Sequence, residues 1–165
     1  MDPQRELLRH YLAALAYRTQ KALRDAPAGF ASFEAGNRVR PPVALVRHMT
    51  SVLGYARTHL VGGSYHPEPP PSLAAEVARF HELLADLSGH LASGELTGTT
   101  EARLLQGPFA DAMTHAGQLA MRRRLAGSPV PPENFIVAEV DPDNLGPDQA
   151  EPRSPDAEWP EAPDA

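Results

Sequence analysis

Asp111 and His115 stand four residues apart in the segment DAMTHAGQLAMRRRLAG, and His48 stands at a similar depth of an earlier segment, PPVALVRHMTSVLGYARTHL. On a helix, a four-residue interval places two side chains on one face, one turn apart. Two such helices packed side by side can bring two imidazoles and a carboxylate to one point, which is a donor set for a divalent metal. Neutral imidazoles and one carboxylate supply three ligands, lower the ion's formal charge by one and leave positions open for water or substrate. Zinc, nickel, iron and manganese all accept such a set, so the expected cofactor is one divalent ion from that group. The competing reading is a surface ion pair between Asp111 and His115, worth about 0.3 kcal/mol, with His48 as an ordinary half-buried helix residue.

The zero cysteine count sharpens the choice, because it removes disulfides, a thiolate nucleophile and any cysteine-ligated zinc, leaving His, carboxylate and water as metal donors. At about 100° per residue, His48 falls at the edge of its helix's apolar stripe with Tyr55 and His59 beside it. Gln118 and Arg122 fall near the line of Asp111 and His115. Tyr55, His59 and Gln118 are therefore candidates for lining a pocket, although Tyr55 and His59 read equally well as ordinary packing. Glu82, Asp86 and His90 form a rival four-residue ladder, but it lies opposite a leucine stripe and reads as a solvated face. His10, His66 and His81 have no partner at ligand spacing, and no general base is spaced to serve the site.

Four helices must position these residues. Asp2 followed by Pro3 is an N-cap with proline at the first helical position, and Leu7, Leu8, Tyr11, Leu12, Leu15 and Ala16 keep a helical rhythm to about Asp25. The second helix follows Pro41 and Pro42, carries Leu45, Val46, Met49, Leu53, Ala56 and Leu60 on its stripe, and stops at Gly62 and Gly63. Four prolines between His66 and Pro71 forbid a helix there. Ser72 caps the third helix, which spans roughly Ser72 to Ser93. A turn around Glu101 to Leu105 and Pro108 introduces the fourth, with Phe109, Ala112, Met113, Ala116, Leu119 and Ala120 inward and Arg122, Arg123 and Arg124 set against the negative end of its dipole. Ser128 to Val140 reads as an extended strap carrying Phe135, Ile136 and Val137.

The chain has 165 residues, 42% of them apolar, which suits one domain with a substantial core. Its net charge of −6 is unevenly spread: eight of the 21 acidic residues lie between Asp141 and Asp164, opposed only by Arg153. The other 140 residues carry 14 basic and 13 acidic groups. A nearly neutral body lacks the clustered basic face of a nucleic-acid binder. No apolar run reaches the roughly 20 residues of a spanning helix, and the N-terminus lacks signal-peptide character, so a soluble cytoplasmic protein is expected. Residues 141–165 hold six prolines, with Leu145 and Trp159 as their only large apolar groups. That composition predicts a disordered acidic tail behind a domain of residues 1–140.

The segments RPPVALVRHMTSVLGYART and THAGQLAMRRRLAGSPVPPEN, the order of elements and the length resemble the DinB-like superfamily of metal-binding four-helix bundles over about residues 1–140. The resemblance implies an all-α bundle with a long crossover connection. In that family a His near the start of the second helix and an H-x-x-x-H pair followed by a Gly-Gln step bind a divalent metal. His48 matches the first ligand, His115 precedes Ala116, Gly117 and Gln118 as the second His of the pair does, and Asp111 occupies the first position of the pair. Asp111 departs from that pattern and resembles the mycothiol-dependent maleylpyruvate isomerases, which carry Glu there. The function implied is metal-dependent chemistry on a small molecule, either transfer of a low-molecular-weight thiol or hydrolysis. The alternative is a binding or stress-response protein without a reaction. The resemblance also implies a two-fold homodimer paired through helix faces, for which Leu8, Tyr11, Leu15, Tyr17, Phe135 and Ile136 supply apolar groups to spare.

Overall fold

Asp2 opens the first helix as its chemistry requires: its carboxylate accepts the Gln4 N–H at 2.8 Å, and α1 runs Pro3–Leu23. The computed structural model describes residues 2–153 of the chain. Among them every regular element is helical. Pro42 at the first helical position starts α2 (Pro42–Val61), which stops where Gly62 takes a left-handed φ of 75°. Ser72 caps α3 (Leu73–Ser93) by accepting from Ala75 N–H at 3.2 Å, and Thr100 caps α4 (Glu101–Leu104). A π-turn, Leu105–Phe109, joins α4 directly to α5 (Ala110–Leu125). The fourth helix is thus longer than its apolar stripe suggests and changes pitch within its length.

Each of α1 and α2 packs against both α3 and α5, so α1 and α2 share the same two neighbours. The interior between them is filled by Leu12 and Leu15 of α1, Met49 and Leu53 of α2, Phe80 and Leu84 of α3, Phe109 of the π-turn and Leu119 of α5, none exposed to solvent. No helix among the described residues is long and apolar enough to cross a membrane.

Three expectations change. Leu8, Leu15 and Tyr17 are buried within the chain itself, so α1 has no apolar surplus on that side; among the described residues Leu7, Tyr55, Met121, Leu125 and Ile136 are the large apolar side chains that stay most exposed. The strap is not wholly extended, because Phe135–Val137 forms a 3-10 turn. Arg18 stacks its guanidinium 3.7 Å from the Phe135 ring, and buried Glu133 accepts from Tyr17 Oη at 2.5 Å and pairs with Lys21 Nζ at 2.6 Å. Finally, the acidic segment does not stay unpacked from Asp141 onward. Leu145 is buried, its carbonyl lies 2.7 Å from His81 Nδ1, Arg9 pairs with Asp143, and Arg24 donates to the Gln149 carbonyl. These contacts join backbone and side-chain groups of residues 143–149 to side chains of α1, of its C-cap Arg24 and of α3, a pairing that composition alone does not register. Trp159 lies outside the described residues.

The basic run at the end of α5 also acts differently from the expectation. Buried Arg123 donates to Ser128 just past its own helix end and also to the Ala22, Arg24 and Asp25 carbonyls, capping the C-terminus of α1. It ties the last helix to the first.

Candidate metal centre

His48 lies in the second turn of α2, and Asp111 and His115 occupy the first two turns of α5, which packs against it. His115 Nε2 is 3.4 Å from Asp111 Oδ1 and His48 Nε2 is 3.8 Å from Asp111 Oδ2. The two imidazole rings meet edge to face with centroids 4.8 Å apart. One donor atom from each residue lies within 4.8 Å of the other two, and among the described residues no second such group of three forms. Two ligands held about 2.1 Å from a tetrahedral ion stand about 3.4 Å apart. The His115 to Asp111 spacing fits as it stands. The His48 to Asp111 spacing is wider than that by about 0.4 Å, a gap that the solvent-exposed Asp111 side chain can close by rotation.

The buried imidazole supplies the test of fit. His115 is 8% exposed, and its Nε2 has no hydrogen-bond partner although it is shut away from bulk water. Its Nδ1 lies 3.1 Å from Gln118 Oε1. An amide oxygen there accepts the Nδ1 proton and leaves the Nε2 lone pair directed toward Asp111 and His48, the arrangement in which an outer group orients a metal-binding histidine. His48 is pushed below the usual imidazole range by burial, then by the charge of Arg40 and by His115, with Asp111 opposing. A neutral imidazole with a free lone pair is the form that binds a metal. The three donors and their surroundings could hold a divalent ion.

The local sequence explains the opening beside it. Proline inside a helix lacks an N–H and clashes with the carbonyl four residues back, and the wider π-turn around Pro108 relieves both. That turn forms one wall of a cleft of about 720 Å³ whose other walls carry His48, Asp111, Ser51, Tyr55 and Thr114. Tyr55 stands at its rim, 59% exposed. Gln118 is not in the cleft but behind His115. His59 is not brought there either: its ring packs on Tyr55 with centroids 5.1 Å apart, and its Nδ1 lies 3.1 Å from the Thr97 carbonyl. Asp86, the centre of the rival ladder, is shared between His90 and Arg57 of α2, so it works as a tie between helices. Gln106 and Thr114 line the cleft without any signal in the apolar rhythm, because the change of pitch at Pro108 decides what reaches it. No family model, curated protein or solved structure matches this chain.

Proposed function

We propose that His48, Asp111 and His115 hold one divalent metal ion and that the protein is a metal-dependent enzyme acting on a small molecule, by thiol transfer or hydrolysis. The observation that carries this reading is the buried Nε2 of His115, oriented by Gln118, without a partner of its own, and faced by a carboxylate and a second imidazole. A divalent ion there supplies Lewis acidity, lowering the pKa of a thiol or a water molecule. The chain's own groups do the rest. His115 and Gln118 fix one side of the site, Asp111 brings the single negative charge, and the open cleft admits a molecule to the remaining positions. That opening favours a reaction or ligand exchange over a sealed structural site.

The fold belonging to this proposal is a DinB-like four-helix bundle with a crossover between α1 and α2, supported by the two neighbours these helices share. Elemental analysis of untagged protein tests the site: about one equivalent of zinc, nickel, iron or manganese is expected in the native chain and much less in His115→Ala. Asp111→His should retain more metal than Asp111→Ala, since an imidazole replaces one donor with another. Equal loss in both would remove Asp111 from the ligand set, and a metal-free native protein that takes up none of the four ions would overturn the proposal. Thiol conjugation and ester hydrolysis assays on the loaded protein then separate the two reactions.

A further inference from the structure

The loop between α2 and α3 encloses a second cavity of about 490 Å³, separate from the metal cleft but sharing Ser51 and Tyr55 with it. Gly54 explains how its wall is built. A Cβ placed on Gly54 would lie 2.0 Å from Tyr65 Cδ1, so the Tyr65 ring rests directly on the α2 backbone at the one point where a side chain would evict it. Gly62 and Gly63 turn the chain back with φ of 75° and 76°, and the proline-rich segment that follows holds the loop stiff over the helix.

The lining is chemically specific. Arg47 and Arg79 enter the cavity with Glu76, which is fully buried and accepts from Arg47 Nε through Oε1 while its Oε2 has no partner. Glu76 neutralises Arg47, so Arg79 leaves the lining with one net positive charge. Arg79 spends one nitrogen on the Glu68 carbonyl at 2.7 Å, and a guanidinium has further N–H groups set in a fork that matches a carboxylate. Tyr65, Tyr55, Pro67 and Pro69 supply apolar and aromatic walls. A dianion would meet the buried charge of Glu76, whereas a monoanion balances the lining.

We propose that this cavity is a binding site for a small monocarboxylate with an apolar or aromatic body, its carboxylate on Arg79 and Arg47 and its body against Tyr65. Neither arginine lines the metal cleft, so the site stands whether or not a metal binds at His48. A molecule held here lies next to that cleft across Ser51 and Tyr55.

The test titrates phenylacetate, phenylacetamide and phenyl phosphate into the full chain without added metal, following the arginine side-chain N–H signals by NMR. Phenylacetate should give saturable shifts at Arg79 and Arg47. Phenylacetamide should bind more weakly by about tenfold, because it lacks the charge that the guanidinium reads. Arg79→Gln should cause a similar loss, and Gly54→Ala should weaken binding by displacing Tyr65. Tyr65→Ala asks the same question if Gly54→Ala does not fold. His48→Ala should bind phenylacetate as the native chain does, which keeps this result apart from the fate of the metal site. The proposal is overturned if phenylacetate gives no saturable shift, if the amide binds equally, if phenyl phosphate binds more tightly, or if Arg79→Gln has no effect.

Discussion

Two regions of this molecule bury polar groups beside α5, and they treat them in opposite ways. Against α1 and the strap, Glu133 is held on one oxygen by Tyr17 and on the other by Lys21, and Arg123 makes five hydrogen bonds to the Ala22, Arg24, Asp25 and Ser128 groups. Against α2, His115 keeps a buried nitrogen without a partner, beside a half-exposed carboxylate and a second imidazole. Buried unpaired atoms also occur at Thr19, Gln20, Glu76 and His81, so the missing partner alone distinguishes nothing. What separates His115 is its company: two further metal donors and a cleft. A satisfied network specifies structure, whereas a half-satisfied one with convergent donors is arranged for a ligand.

The largest effect should come from His115→Ala, which is expected to weaken metal binding by more than about a hundredfold, while the lost packing and Gln118 contact cost the metal-free protein about 1–2 kcal/mol. Competition with a chelator and urea unfolding of the metal-free form read the two quantities. Glu133→Ala should do the reverse. It strands Tyr17 Oη and Lys21, and a loss of about 3 kcal/mol in unfolding free energy is expected with metal content unchanged. If Glu133→Ala lowered metal content, or His115→Ala left it unchanged, the division between the two regions would be wrong.

Removing residues from Asp141 onward should cost about 2 kcal/mol, mainly from the buried Leu145 side chain. An unchanged urea midpoint would show that the docked segment contributes no stability. The same segment carries a smaller pH effect. His81 is held below its ordinary imidazole value by burial, against a weaker opposing influence from the hydrogen bond to the Leu145 carbonyl. Because the folded value is depressed, this contribution is fully present above about pH 6.5 and is lost as pH falls through the folded value. Thermal midpoints measured against pH should therefore slope downward below that point in the native chain and less steeply in His81→Gln. The smallest expected effect concerns assembly: among the described residues Ile136, Leu7, Met121, Leu125 and Tyr55 are the most exposed large apolar groups, and a two-fold homodimer would draw on them. Sedimentation equilibrium at micromolar concentration checks it, and a single-chain mass throughout would reject the dimer without touching the comparison.

Local chemistry was readable from the residues themselves. Asp2 with Pro3, Pro41 with Pro42, and Ser72 mark helix starts because capping involves only neighbouring residues, and Gly62 marks a stop for the same reason. The apolar stripes place Asp111 and His115 on the flank of α5 that meets His48, since both helices must turn their stripes to one interior. Long-range roles were not readable. Arg123 was expected to serve its own helix dipole, and its position against the end of α1 depends on how two helices 100 residues apart in sequence cross. The tail composition suggested no packing, yet one leucine and a few backbone carbonyls found partners in side chains that face outward from α1 and α3.

The π-turn at Leu105–Phe109 has a bearing on how the site is kept. Relative to a regular α-helix, one widened turn holds one residue more, and one residue is worth about 100° of rotation about the axis. The segment before it is anchored, because Glu101 pairs with Arg5 of α1. If the turn tightened to regular pitch, everything beyond it would swing by that angle, and Asp111 would face away from His48. The helix therefore works as a phase-locked shaft: Pro108 sets the angular offset between its two ends, and the meeting of carboxylate and imidazole is the setting at which that offset is read out. Deleting a single residue from the turn should carry Asp111 and His115 together away from His48 while leaving the chain helical, a change visible in metal content before it is visible in circular dichroism.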